Sequence, residues 1–169
     1  MESPIGLLKI KVIRGMNLVV MDFTSSDPYV VISIGDQDVQ TGHVYDTCNP
    51  YWSDEDELTL GVYDLDTPII LKVYDKDTFK GDDFMGESRI DIIPYLEYVK
   101  AGLAPLSTGS IVGKIDPSEQ NCLHETSYIL WKDGQLVQKM ILRLNNVLTG
   151  EVEIQVRWEE VSGGKGLTS

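Results

Sequence analysis

Apolar side chains recur at every second position in short runs along most of this 169-residue chain, each run rich in Val, Ile or Tyr and bounded by Gly, Pro, Asn or Asp. A two-residue period puts successive side chains on opposite faces of an extended backbone, so such runs are read as strands with one buried face. In 151–158, Val152, Ile154, Val156 and Trp158 share one face, and Glu151, Glu153, Gln155 and Arg157 the other. Comparable runs lie at 7–13, 28–34, 38–45, 57–61, 69–74, 87–92, 127–131 and 137–144. Short strands separated by turn residues predict an all-β fold of two packed antiparallel sheets. One helix is expected, over 93–101, and the stretch from there to Ser127 carries no assignable pattern. The final residues, 161–169, are rich in Gly and Ser and read as a disordered tail.

A chain of this length buries one core, and its 42% hydrophobic and 24% charged residues are ordinary for a folded domain. It contains no run of about 18 apolar residues that would span a bilayer. Met1-Glu2-Ser3-Pro4 lacks the basic and apolar regions of a signal peptide, Glu2 stands where myristoylation needs glycine, and the last residues carry no prenylation cysteine. Any membrane contact is therefore expected to come from the fold. Cys48 and Cys122 read as reduced thiols of a cytosolic or nuclear protein.

The net charge of −13, from 27 acids and 14 bases, argues against nucleic acid as a partner. Its distribution is more informative. No Lys or Arg lies between Arg14 and Lys72, a stretch that holds eleven acids. Such a stretch reads either as a solvated acidic face or as a surface that needs a cation before it approaches phosphate. Two acidic loops adjoin strong strands: Asp22-Phe-Thr-Ser-Ser-Asp27-Pro28, and Asp75-Lys-Asp77-Thr-Phe79-Lys80-Gly81-Asp82-Asp83. Asp75 and Asp77, at i and i+2, project to one side of an extended chain about 6.6 Å apart. A cluster of carboxylates suits calcium, which takes six to eight oxygen ligands, far better than zinc, which prefers thiolate and imidazole. An EF-hand reading fails: counting from Asp75, the sixth position is Lys80 where Gly is required and the twelfth is Gly86 where Glu is required.

Four segments in order carry a resemblance: Gly6-Leu-Leu-Lys-Ile-Lys-Val-Ile-Arg-Gly-Met-Asn-Leu18, Ser26-Asp27-Pro28-Tyr29-Val30, Asn49-Pro50-Tyr-Trp52-Ser-Asp-Glu55, and Val73-Tyr-Asp75-Lys-Asp77 with Asp83-Phe-Met-Gly86-Glu87. They resemble the hallmarks of C2 domains. The likeness is to the plant abscisic-acid-related C2 family and the similar plant GTPase-activating C2 proteins, and it runs from about Ile5 to Glu159. Asn121-Cys122-Leu123 and 144–154 resemble the extra segment and last strand of those plant members.

The resemblance implies an eight-stranded antiparallel C2 β-sandwich over 1–160, with a plant-type insertion at about 95–140 before the last strands. It also implies two calcium ions held by Asp22, Asp27 and the carbonyl of Met21 from the first loop, and by Asp75, Asp77, Asp83 and the carbonyl of Lys76 from the third. Asp82, one place off the family's ligand, reads as a solvated neighbour. Lys80 stands where some relatives have a serine ligand, which weakens an outermost ion. Phe23, Phe79 and Lys80 are expected to touch the membrane.

Where many relatives carry a lysine-rich patch before Asn-Pro-x-Trp, this chain has Asp36-Gln-Asp38-Val-Gln40-Thr-Gly-His43, which argues against phosphoinositide binding. The expected function is a calcium-dependent adaptor on anionic phospholipid that recruits protein partners, abscisic acid receptors in the plant family, to the plasma membrane. Such a protein resides in the cytoplasm, peripherally on that membrane, or in the nucleus. Two other readings are a stimulator of a partner's GTP hydrolysis, which would offer Arg14, Arg89, Arg143 or Arg157 to the nucleotide, and a calcium-independent interaction sandwich whose melting is indifferent to chelation. Intrinsic catalysis and a small-molecule substrate are not expected: there is no Gly-x-Ser-x-Gly elbow or phosphate-binding glycine loop, and His43 and His124 have no nucleophile beside them in sequence.

Overall fold

The structure is a computed structural model and describes residues 2–20, 26–52, 56–77, 79, 81–162 and 166–167. Ten strands and one helix follow in order: β1 Gly6–Met16, β2 Pro28–Ile34, β3 Gln37–Gln40, β4 Leu58–Val62, β5 Ile69–Asp75, β6 Asp83–Ile90, α1 Ile93–Lys100, β7 Ile111–Ile115, β8 Ser127–Lys132, β9 Gln135–Arg143 and β10 Glu151–Glu159. They form two antiparallel sheets, one ordered β4-β1-β10-β9-β8-β7 and the other β3-β2-β5-β6.

The two-residue period decides which side of each strand is buried. Leu8, Ile10 and Val12 of β1 and Val152, Ile154, Val156 and Trp158 of β10 face Val30, Ile32, Leu71 and Val73 of the opposite sheet in one core. Tyr95 of α1 is buried beneath this core, donating its hydroxyl to the Leu136 carbonyl at 2.8 Å and accepting the Trp158 N–H at 2.9 Å. The open edge between the sheets is stitched by one side chain. The Gln37 amide donates to the Gly61 carbonyl at 2.7 Å and accepts the Gly61 N–H at 2.9 Å, as a strand backbone would.

The all-β sandwich is as the sequence implies, with ten strands among the described residues where eight were expected. The added pair, β7 and β8, arises within 95–140 and extends one sheet beyond β9. Strand β7 gives no sequence signal because Gly113 interrupts it, and a Cβ there would meet the outer end of the Tyr98 ring of α1, which would have to shift. The run 38–45 yields only Gln37–Gln40. Beyond it Thr41 takes over the ladder, its hydroxyl accepting the Val30 N–H at 2.9 Å, and the chain peels away. Conversely β6 begins at Asp83, four residues before the alternation becomes visible, because Tyr74 and Asp75 of β5 pair with Phe84 and Asp83. Of the expected tail, Leu167 lies partly buried against the core, and residues 163–165 and 168–169 are outside the described ones.

Candidate functional site

Asp27 directly precedes Pro28, which opens β2 where no ladder N–H is needed from it. Pro28 pairs with Asp75, the last residue of β5, and Asp75 pairs with Asp83, the first residue of β6. Three acids from two sequence-distant loops thus meet at one pole. Asp75 is fully buried, and its Oδ1 accepts the Asp27 N–H at 2.8 Å. The Lys76 N–H returns to the Asp27 carbonyl at 3.0 Å, locking the two loops together. Oδ1 of Asp27 accepts the Asp46 N–H at 2.7 Å, which ties in the segment between β3 and β4. Asp77 Oδ1 accepts the Phe79 N–H at 2.8 Å, an Asx turn that presents Phe79 to solvent.

Asp82 is not the solvated neighbour that its position suggests. Its Oδ1 accepts the Asp77 N–H at 2.8 Å and its Oδ2 the Tyr29 hydroxyl at 2.5 Å, while Lys76 Nζ lies 3.8 Å away. These contacts hold its carboxyl below the usual range, the Asp77 N–H foremost and the Tyr29 hydroxyl next. Tyr29 responds in the opposite sense: burial first, then the bond to Asp82 and its charge, push the phenol up to about 12. Asp82 is therefore a strut that shapes the loop between β5 and β6. The sequence signal available was the adjacency of Gly81, Asp82 and Asp83, which does not say which acid turns inward.

Of the expected ligands and membrane contacts, Met21, Asp22, Phe23 and Lys80 lie outside the described residues. Asp27, Asp75, Asp77 and Asp83 fall at one pole, but among the described residues no three His, Cys, Asp or Glu side chains form a group that could hold a metal ion. The donors that these four residues offer are carboxylate oxygens, and this chemistry fits a hard cation such as calcium. An ionised carboxylate has about four lone-pair directions, so one backbone N–H does not exhaust it.

The segment that lacks the lysine patch lines a cleft with Gln40, Thr41, Gly42, His43, Val44, Val12, Trp52, Asp56 and Leu58, with no Lys or Arg among them. Three arginines are committed to structure. Arg14 Nε donates to Glu153 at 2.6 Å, Arg143 donates to the carbonyls of Leu123, Ser118 and Asn121, and Arg157 grips Glu57 through two bonds of 2.7 Å. Arg89, exposed on β6, makes no ion pair or side-chain hydrogen bond with the described residues. Cys48 and Cys122 are free thiols. Among the described residues no helix is long and apolar enough to cross a membrane.

Residues 6–103 match the family model of the C2 domain. The chain belongs to the C2 domain family. This C2 domain is 46% identical to the Arabidopsis thaliana protein C2-domain ABA-related 10 over 170 residues, covering 99% of this chain and 93% of that protein. It is 44% identical over 163 residues to GTPase activating protein 1 of Oryza sativa subsp. indica, covering 96% of this chain and 97% of the relative. Among solved structures, the calcium-bound pair of C2 domains of extended synaptotagmin 2 superposes with a TM-score of 0.63 at 20% identity, covering 94% of this chain and 47% of that one. A C2 domain of plant extended synaptotagmin 1 does so with a TM-score of 0.60 at 16% identity, covering 95% of this chain and 99% of that one. At those identities the structural likeness speaks for the fold alone.

Proposed function

We propose that this C2 domain is a calcium-dependent adaptor that docks its carboxylate pole on anionic phospholipid at the plasma membrane and brings signalling proteins there, abscisic acid receptors among them. The observation that carries the reading is the meeting of Asp27, Asp75 and Asp83 at adjoining strand ends beside an exposed Phe79. Asp27, Asp75, Asp77 and Asp83 would hold calcium with Asp22 and the carbonyls of Met21 and Lys76. Calcium bound there supplies positive charge and open coordination positions for lipid phosphate or carboxylate. Without it, the crowded carboxylates repel an anionic surface. The Asp27–Asp75 bond and the Asp82 strut hold Asp27, Asp75 and Asp77 in fixed relation, which lowers the cost of gathering these acids on binding. Phe79 contributes apolar contact at headgroup depth, and Lys80 beside it a charge for lipid phosphate. The names of the Arabidopsis relatives support the abscisic acid connection.

Co-sedimentation with phosphatidylserine vesicles tests the reading. The native chain is expected to pellet with calcium and to stay in solution with chelator, and the double variant Asp75→Ala, Asp77→Ala to stay in solution in both. Equal pelleting in all four conditions would dispose of it.

A second reading, stimulation of GTP hydrolysis by a partner, is favoured by Arg89 being uncommitted and by the name of the rice relative. A native chain that leaves a partner's GTP hydrolysis unchanged would remove it, and an Arg89→Ala variant that stimulates as well as the native chain would remove only the role of Arg89.

A further inference from the structure

Resting on the membrane-docking reading above, we propose that Leu148, at the tip of the β9–β10 turn, is a second lipid anchor that enters an anionic bilayer together with Phe79 and fixes the tilt of the sandwich. Leu148 lies outside the 6–103 stretch that matches the C2 family model.

The turn shares the pole of the carboxylates. Glu151 pairs with Met16 at the end of β1, and a Cβ on Gly150 would meet Leu18 Cδ2 at 3.3 Å. The Leu18 N–H donates to the Cys48 carbonyl at 2.9 Å, and the neighbouring Thr47 N–H donates to the Ser26 carbonyl at 2.9 Å, beside Asp27. On its other flank the turn is fastened to β6, four residues from Asp83. The Asn145 N–H donates to the Glu87 carbonyl at 2.7 Å, the Glu87 N–H donates to the Asn145 carbonyl at 3.2 Å, and the Asn146 amide donates to Glu87 Oε1 at 2.8 Å. The turn is a held structure that raises one leucine.

Exposure selects this pole. Phe79 is 96% exposed, Leu148 95% and Tyr45 73%, and every other described large apolar side chain is less exposed than these. Tyr45 belongs to the same pole, since the Val44 N–H donates to the Pro28 carbonyl and the Asp46 N–H to Asp27 Oδ1. Three separate turns thus each raise one apolar side chain around the acids. Val147 shows the contrast: next to Leu148, it packs back on Gly86 and the core edge. A folding role does not account for Leu148, because a side chain left in water gains nothing from the burial that drives folding.

The occupant is read from the form of the surface. A protein partner is gripped by a contiguous patch with pockets for its anchors. Here the concavities are lined by other residues, Phe79 and Leu148 project singly, and Tyr45 meets the His43 ring edge-on at 4.7 Å. Isolated apolar tips around a charge cluster suit a fluid interface that closes around each one.

The test uses the full chain and vesicles of phosphatidylcholine and phosphatidylserine in calcium. Leu148→Ser is expected to weaken vesicle affinity about 10-fold or more, in line with the loss of one apolar side chain from lipid, and to melt at the native temperature in the absence of lipid. Leu148→Trp is expected to bind as tightly as the native chain and to show a blue-shifted emission difference from it on vesicle addition. Native-like affinity of Leu148→Ser, or no emission difference with Leu148→Trp while the native chain still binds, overturns the role of Leu148 and leaves the docking reading standing. Failure of the native chain to bind these vesicles removes both.

Discussion

Asp27 donates its backbone N–H to the buried carboxylate of Asp75, 48 residues further along the chain, at 2.8 Å. This bond makes the two acidic loops one unit. Asp75→Asn keeps the shape and removes the charge, so it is expected to abolish any rise in melting temperature on adding calcium. In the native chain, calcium at about 100 times its dissociation constant adds about 2.7 kcal/mol, or about 5–10 °C for a domain of this size. Scanning calorimetry with and without chelator measures both. Asp75→Ala, which also deprives the Asp27 N–H of its acceptor, is expected to cost about 1–3 kcal/mol even without calcium.

Tyr29 and Asp82 set an alkaline limit. The folded phenol titrates at about 12, above the usual tyrosine value of about 10. A raised pKa means the folded state holds the proton more tightly. The stability contributed by the neutral phenol, from its burial first and then its bond to Asp82, is therefore complete below pH about 10 and is lost as pH rises through about 12. Urea midpoints measured across this window should fall more steeply for the native chain than for Tyr29→Phe. Parallel curves would show that folding does not raise the Tyr29 phenol.

Glu57 and Arg157 set an acid limit in the opposite sense. Two hydrogen bonds from the guanidinium hold Glu57 below the usual carboxylate range. Its contribution is complete above the unfolded value of about 4.3 and is lost as pH falls through the lower folded value. Glu57→Gln should cost about 1 kcal/mol at pH 7, the pair being partly exposed. It should also flatten the acid limb of a stability-against-pH curve.

Gly86 governs how the β9–β10 turn sits on β6. Its φ is +119°, and a Cβ would meet Val147 Cγ2 at 2.8 Å and Leu144 Cβ at 3.0 Å. Gly86→Ala should cost about 2–4 kcal/mol from strain and overpacking, read by chemical denaturation. Gly81→Ala is the contrast, since its φ of +79° is strained but none of the described residues comes within 4 Å of an added Cβ, and it should cost less.

Much of the sandwich is legible before folding. The run 28–34 is the strand Pro28–Ile34, and the alternation in 151–158 separates buried from outward side chains as expected, with one exception. Gln155 is buried too, because Lys132 from β8 covers it and donates to its Oε1 at 3.3 Å. Asp27, Asp75, Asp77 and Asp83 are legible as acids of two loops that the fold brings to one pole, while Asp82 is misread because its inward turn depends on Tyr29, 53 residues away.

The residue order by itself determined the all-β class, which residues of most strands face inward, and the two acidic loops, because side-chain alternation and turn chemistry act over a few neighbouring positions. Only the tertiary structure decided that β7 forms against α1 and β8, that Asp82 braces a loop, and that Leu148 stands at the pole of Asp27 and Asp75. Each of these depends on strand pairing between segments far apart in the chain. The register of such pairing is set by the whole core, which no local stretch encodes.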